Sequence, residues 1–516
     1  MKLSVLAKHM PQNLLRGIVA TKPEHDPDIT SIHYNSNKIK PGGLFVAVTG
    51  FKTDGHEFIN HALSKGAAAI VTERSVGSNT PTLEVSDSRK ALAHIADKFF
   101  GCPSKRLSVT AVTGTNGKTT TTFLVQSILT AAGFNTGIIS TVDYRFGGKT
   151  FENPMTTPES LDLQKILSEM LSSGVTHVVL EVSSHAVDLH RITGCRINAG
   201  IFTNLSQDHL DFHGDMETYW TAKKKLFTEH LFRNPEKKSA VAVINCNDPK
   251  GHELFRMLED SLNRNQLFSI GSLNGHAIKP QNTQFDHRGV KGTVSTPSGD
   301  IDFISNLAGK YNLENIMCAV GAGIAMKVSL DAIKTGIETF SGVPGRMERI
   351  ENTSGKFVFV DYAHTPDAIE NVLNTLKSIT SGRLICVFGC GGDRDRTKRP
   401  EMGKIAVSIA DFSVITSDNP RTEDPMLIIY DILAGIKNKA VVEYRKEDCH
   451  NGLTEKGYTV EPDRRNAIKL GIKIAKPGDT VLLAGKGHET YQILATETIH
   501  FDDRKEAQQA LGVDDV

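Results

Sequence analysis

No run in this 516-residue chain is long and apolar enough to cross a membrane, and its first residues, MKLSVLAKHMPQNLL, contain no extended apolar core of the kind a secretion signal needs. Neither sign of charge is in excess. The 59 Lys plus Arg balance 59 Asp plus Glu, giving a formal net charge of zero, which argues against a basic nucleic-acid surface or a polyanionic tail. The seven cysteines, at 102, 195, 246, 318, 386, 390 and 449, are odd in number and form no CxxC pair. They read as small core residues in a reducing compartment, not as a disulfide framework. Internal repeats and low-complexity tracts are absent. What is present, 39% apolar and 23% charged residues, suits an ordinary globular protein of the cytoplasm, too long for one core and expected to form about three domains.

Apolar runs set the organisation. Residues 1–105 carry short strands at 44–48 and 68–71 and a helical pattern at 90–100, and end in the linker-like Gly101-Cys102-Pro103-Ser104. Residues 106–341 alternate strands, expected at 107–113, 176–181, 197–203 and 240–245, with helices. Such continuous apolar runs predict a parallel sheet covered on both faces. Residues 270–305 read as short strands at an antiparallel edge of that sheet. Residues 342–516 bring a second series, at 356–361, 384–388, 412–416 and 480–484. The expected class is α/β in three domains: a smaller N-terminal α/β unit, a central P-loop-type mostly parallel sheet, and a C-terminal Rossmann-like α/β unit.

Between the apolar run 107–112 and the next helix lies TGTNGKTTTT, residues 113–122. Gly114 and Gly117 let the backbone bend tightly and present N–H groups to anionic oxygens, and a helix starting at or just after Lys118 adds its positive dipole end. Lys118 supplies a full charge and Thr119 a hydroxyl suited to magnesium. The spacing is shorter than in the general P-loop, but the chemistry is that of a nucleoside triphosphate site, for ATP or GTP.

Other polar groups gather where strands end. Glu181 closes the strand at 176–181 beside the phosphate-loop strand, a common place for a magnesium carboxylate. The segment 202–213 holds Asp208, His209, Asp211 and His213. It lacks the HExxH glutamate of a zinc hydrolase, so a hard-ion site or a capped loop fits better, with His213 structural. On a helix, Tyr219, Lys223 and Leu226 share one face, so Lys223 is expected to be buried, paired or chemically altered. In the third block, loops beginning at Asp361, Gly389, Ser417 and Gly485 follow four strands and should line one crevice. Arg394 and Arg421 beside acidic groups suit a zwitterionic substrate.

TGTNGKTTT, EVSSHA, FTNLSQDHLDFHGDMETY, VPGRMER, DYAHTPD, GCGGDRD, DNPR and AGKGHE occur in the order found in the Mur ligases, and the chain resembles that family over nearly its whole length. The resemblance implies an ATP-dependent amide-forming enzyme of peptidoglycan precursor synthesis, a cytoplasmic monomer with no nucleic-acid partner, working through an acyl phosphate with Mg2+. It implies that Gly114, Thr115, Asn116, Gly117, Lys118, Thr119 and Thr120 hold the triphosphate, that Asn312 and Asn315 contact adenine, and that Arg346 and Asp361 reach ATP from the third domain. Thr119, Glu181, His209 and Lys223 would serve the metal, with Lys223 as a carbamate (N6-carboxylysine); Lys118, Glu181, His209 and Lys223 would be the catalytic set.

The same resemblance assigns Ser36, Phe51, Lys52, Thr53, Thr156, Thr157, Ser183 and Arg191 to a UDP-N-acetylmuramoyl dipeptide. Here the family's Asp-Ser-Arg reads Asn35-Ser36-Asn37, and Leu189 stands where a polar residue is frequent. Arg394, Asp418, Asn419, Pro420, Arg421, Gly485 and Glu489 would take the incoming amino acid. DNPR implies meso-diaminopimelate: lysine lacks the second carboxylate and would leave a buried Arg421 without a partner. A lysine-adding ligase, a folylpolyglutamate synthetase and a non-catalytic nucleotide-binding scaffold are the alternatives.

Overall fold

The computed structural model describes residues 1–19, 26–50, 53–77, 79–232, 240–260, 262–263, 265–273, 275–437, 440–451 and 455–513. The apolar runs form strands as expected, and three main sheets follow one another along the chain. The first has five strands in the order Leu15–Val19, Thr82–Val85, Ala69–Thr72, Gly43–Val46, Ser31–His33.

The second sheet has eight strands. Leu267–Ile270, Val241–Asn245, Ala199–Phe202, Ser108–Thr113, His177–Glu181 and Thr136–Ile139 run parallel. The hairpin Asp143–Phe146 and Lys149–Glu152 continues it antiparallel. Ser108–Thr113 lies between Ala199–Phe202 and His177–Glu181, so the phosphate loop, Glu181 and the segment after Phe202 emerge side by side. Behind the loop, helix Lys118–Ala131 buries Phe123, Leu124, Val125, Ile128 and Leu129 against helix Lys310–Ala325, whose own sequence is apolar nearly all round.

Residues 270–305 depart from expectation. They form a separate three-stranded antiparallel sheet, Lys279–Asp286, Gly289–Thr296 and Gly299–Ser305, and not an edge of the central one. The segment meets the edge strand Leu267–Ile270 at a single bridge between Ile270 and Ile278, and its own three strands then pair with one another. The alternation Ile301, Phe303 with Val290 and Val294 gives the small sheet one apolar face, which joins the helical side of the central core.

The third sheet has seven strands, Glu348–Ile350, Phe357–Asp361, Thr480–Ala484, Leu384–Phe388, Phe412–Ile415, Gly457–Val460 and Val442–Glu443, parallel except the first. The four strands singled out in the sequence are therefore neighbours, and their carboxyl ends open along one edge. Among the described residues, no helix is long and apolar enough to cross a membrane.

Candidate active site

Helix Lys118–Ala131 starts without a side-chain cap. Its N-cap is Gly117 in the left-handed region, so its first N–H groups point into the loop. Both loop glycines are required by close approach. A Cβ at Gly114 would lie 1.9 Å from Thr203 Oγ1, and one at Gly117 2.1 Å from Asn315 Oδ1. Asn204 braces the loop, its carbonyl accepting from Thr115 N at 2.9 Å and its Oδ1 from Asn116 N at 2.8 Å. Lys118 Nζ folds back onto Thr115 O at 2.7 Å. Burial pulls its pKa down, while Glu181 and Asp208 hold it up.

Glu181 is almost fully buried yet satisfied: it accepts from Thr119 Oγ1 (3.2 Å), Thr141 N (3.0 Å) and Thr141 Oγ1 (3.0 Å). Thr119 and Glu181 thus offer adjacent hard oxygen donors, a set that suits magnesium. Lys223 lies on a buried helix face with Tyr219, as its spacing predicts. Its Nζ donates to Gly114 O at 2.6 Å and sits 4.4 Å from the centre of the Tyr219 ring. Burial, with Lys118 nearby, drives its pKa well below the usual ammonium value. As an ammonium, Lys223 repels a metal ion; as a carbamate it becomes an anionic oxygen donor.

His209 precedes helix Leu210–His213 in the left-handed region, with Nε2 3.3 Å from Asp208 Oδ2. Its ring lies 4.8 Å from that of His185. His213 is buried, held by Ser184 Oγ at 2.9 Å and Asp188 at 3.4 Å, which is structural work. Asn312 and Asn315 are buried and bonded to each other at 3.0 Å, with Asn315 Oδ1 also accepting from Thr121 Oγ1. Asn315 reaches the loop at Gly117, but the amides of both face protein groups.

From the third sheet, Arg346 stacks on the Tyr362 ring at 4.6 Å, and its Nε is buried without a hydrogen-bond partner. Asp361 accepts from Met347 N and Ala363 N; burial raises its pKa, opposed by Arg346 and these N–H groups. A contact not foreseen joins the second and third sheets: Asp367 Oδ2 accepts from Asn116 Nδ2 at 2.9 Å and Ser206 Oγ at 2.7 Å.

Models of the Mur ligase family match three stretches: its catalytic domain at residues 28–100, the Mur ligase middle domain at 112–323 and the glutamate ligase domain at 345–487. The UDP-N-acetylmuramoyl-L-alanyl-D-glutamate--2,6-diaminopimelate ligase of Geobacter metallireducens is 47% identical over 485 residues, 94% of each chain. The chain belongs to the Mur ligase family. The Geobacter sulfurreducens ligase of the same name is 44% identical over 96% of this chain and 97% of its own. A solved structure of a ligase bearing that name superposes with a TM-score of 0.68 at 32% identity, over 99% of both chains. As a Mur ligase, the protein is an ATP-dependent acid–amino-acid ligase with the family's three-domain architecture.

In this Mur ligase, Thr156, Thr157, Ser183 and Arg191 form one network around Glu181. Thr156 bonds Thr141 Oγ1, Thr157 Oγ1 donates to Glu181 O, and Ser183 N donates to Thr157. Arg191 forks onto Glu159 and Thr157 O. Ser36 lies apart in the first sheet's unit, its buried hydroxyl on His61 Nδ1 at 3.0 Å. Thr53 is exposed, and Phe51 and Lys52 lie outside the described residues. Thr141, on which Glu181 leans, carries no sequence signal beyond its place after a strand.

The third-sheet loops converge. Asn419 Nδ2 and the buried Lys486 Nζ both donate to Glu489 Oε2, at 2.8 and 3.0 Å. Gly485 sits where a Cβ would lie 2.6 Å from Asp418 Oδ2, and Arg394 and Arg421 flank Gly391. Arg421, expected to be buried, is left partly exposed because it lies in a turn at the loop's outer side. Its Nη1 donates to Gly392 O at 2.7 Å because the Pro420 turn folds it back over that loop.

Proposed function

We propose that the protein joins meso-2,6-diaminopimelate to UDP-N-acetylmuramoyl-L-alanyl-D-glutamate, spending ATP, in cytoplasmic peptidoglycan precursor synthesis. Residues 1–105, 106–341 and 342–516 would be its sugar-nucleotide, ATP and amino-acid units. The observation that carries the amino-acid assignment is the Asp418–Arg421 loop, which sets Arg421 beside Arg394 around Gly391 while Glu489 and Asp418 lie across the same strand ends. Two arginines match carboxylates, and acidic groups match ammonium. The relatives' shared name supports the same substrate pair.

The D-glutamyl side-chain carboxylate attacks the γ-phosphorus, giving an acyl phosphate and ADP. The amine of diaminopimelate then adds to that carbonyl, and the intermediate expels phosphate with loss of a proton. The protein's task is to bring anions together. Loop N–H groups 114–120 and Lys118 cradle the triphosphate, and Arg346 and Asp361 approach from the third unit as the domains close. Magnesium would supply charge neutralisation at the phosphates. Thr119 and Glu181 fit it, joined by His209 and by Lys223 once carbamylated (amine plus CO2 giving carbamate and a proton). Thr156, Thr157, Ser183 and Arg191 would align the dipeptide beside Glu181.

The test is phosphate release with the UDP-linked dipeptide, comparing meso-diaminopimelate with L-lysine. Strong preference for the former is expected, since a site built around a carboxylate partner discriminates by roughly 10⁴ or more. Equal use of lysine rejects the assignment.

A further inference from the structure

We propose that His9, Asp97 and Cys102 form a zinc site that clasps the segment joining the first and second units. His9 ends helix Leu3–His9, Asp97 lies in the last turns of helix Ser88–Phe99, and Cys102 precedes the turn Pro103–Lys105 that leads into strand Ser108–Thr113. His9 thus meets, from far off in sequence, two positions only five residues apart.

The geometry is that of a ligand set. His9 Nε2 lies 3.0 Å from Asp97 Oδ2, and the histidine nitrogen, carboxylate oxygen and thiol sulfur all fall within 4.8 Å of one another. Tetrahedral zinc with ordinary bond lengths needs neighbouring ligand atoms roughly 3.3–3.6 Å apart, so only small side-chain shifts are required. Asp97 is 5% exposed, and its Oδ1 has no hydrogen-bond partner. The Cys102 thiol also hydrogen-bonds this carboxylate, so both other members of the cluster already face it, and Oδ1 is the buried oxygen left for a further partner. Cys102 adopts a left-handed conformation while its N–H donates to Asp97 O at 2.7 Å, which folds the linker back over the helix end.

The donor chemistry selects the metal. Imidazole, carboxylate and thiolate together suit zinc, not the all-oxygen sites of magnesium or calcium. The thiol loses its proton on binding. A cavity of about 570 Å³, lined by His9, His94, Asp97 and His190 among others, opens on two of the three ligands, His9 and Asp97, and gives the ion an entry path and room for a water as fourth ligand. Among the described residues this is the one such cluster of three. It uses none of the groups placed in the ligase reaction, so its role is to stiffen the linker.

The experiment takes the full chain stripped by chelator, then titrates Zn2+ alone against a chromophoric chelator, with Co2+ as a spectroscopic substitute. One zinc per chain is expected. With Co2+, a near-ultraviolet thiolate charge-transfer band should appear, vanish in Cys102→Ser and persist in His209→Ala. Asp97→Asn, which keeps the shape and removes the charge, should weaken zinc on the order of 10–100-fold or more. Absence of the thiolate band in the unmodified chain overturns the proposal without reference to any variant. Zinc uptake undiminished in folded Cys102→Ser and Asp97→Asn proteins, checked by circular dichroism, also overturns it.

Discussion

The Lys223 ammonium is bonded to the carbonyl of Gly114, the first glycine of the phosphate loop, at 2.6 Å. A side chain from helix Met216–Lys225 thereby touches the backbone that should carry the triphosphate. Its burial leaves little room for a free cation, and neutral amine is the form that takes up CO2. Lys223→Ala is expected to reduce phosphate release on the order of 10³-fold or more. Activity of the unmodified enzyme should fall in carbonate-depleted buffer and return with bicarbonate, and ¹³C-labelled bicarbonate should give a carbamate resonance missing from the variant. Full turnover by Lys223→Ala would falsify the carbamate.

Arg421 combines a left-handed backbone with a half-buried guanidinium held by Gly392 O. Arg421→Ala should lower kcat/KM for meso-diaminopimelate by about 10²–10⁴-fold, the cost of a lost charge-assisted pair at a discriminating site. The KM for ATP should move by no more than a few-fold, and weak turnover of L-lysine should change far less. A parallel loss for both amino acids would mean that the arginine only shapes the loop.

Local patterns made much of this legible. Gly114, Gly117 and Lys118 announce themselves because a tight turn before a helix has few sequence solutions, and the buried parallel strands are uninterrupted apolar runs. The hairpin 143–152 has no continuous apolar run; its marks are the alternation of Tyr144 and Phe146 and the Gly147-Gly148 turn, which a search for uninterrupted apolar runs passes over. Thr141 and Asp367 escaped for another reason. Their partners, Glu181 and Asn116, are 40 and 251 residues away, and a Thr in a loop or an Asp in the first turn of a helix carries no mark of what the fold sets against it. Lys223 lies between: its apolar helix face predicted burial, but only the structure supplies Gly114 as its partner.

Gly117 combines a φ of 79° with a Cβ position 2.1 Å from Asn315 Oδ1. Gly117→Ala should therefore cost roughly 1–3 kcal/mol in backbone strain alone and distort the loop. ATP affinity, measured by calorimetry, should fall with stability. In stability, measured against Asn315→Ala alone, adding Asn315→Ala should recover the part due to collision and leave the part due to φ. Complete recovery would show that the left-handed conformation is not needed.

Arg399 is fully buried beneath the candidate amino-acid loop. Its Nη2 and Nη1 bond Glu423 at 2.8 and 2.9 Å, and Nη1 also bonds Asp431 at 2.9 Å. Glu423 in turn accepts from Asp393 N, tying the loops at 391–394 and 418–424 together. Hydrogen bonds from Arg399 hold the Glu423 carboxyl at about 2, against burial, from an ordinary 4.5. The folded pKa lies below the unfolded one, so the unfolded chain binds more protons in this range. The stabilisation is complete above about pH 4.5 and is lost as pH falls toward 2. Arg399→Ala should destabilise the protein at neutral pH toward the low end of the roughly 3–5 kcal/mol for breaking a buried pair, because Glu423 keeps some water. The variant should also lose less on acidification, so urea unfolding at pH 7 and pH 3 should show the two proteins converging. An unchanged gap at pH 3 would mean that the guanidinium contributes through packing, not through its bonds to Glu423.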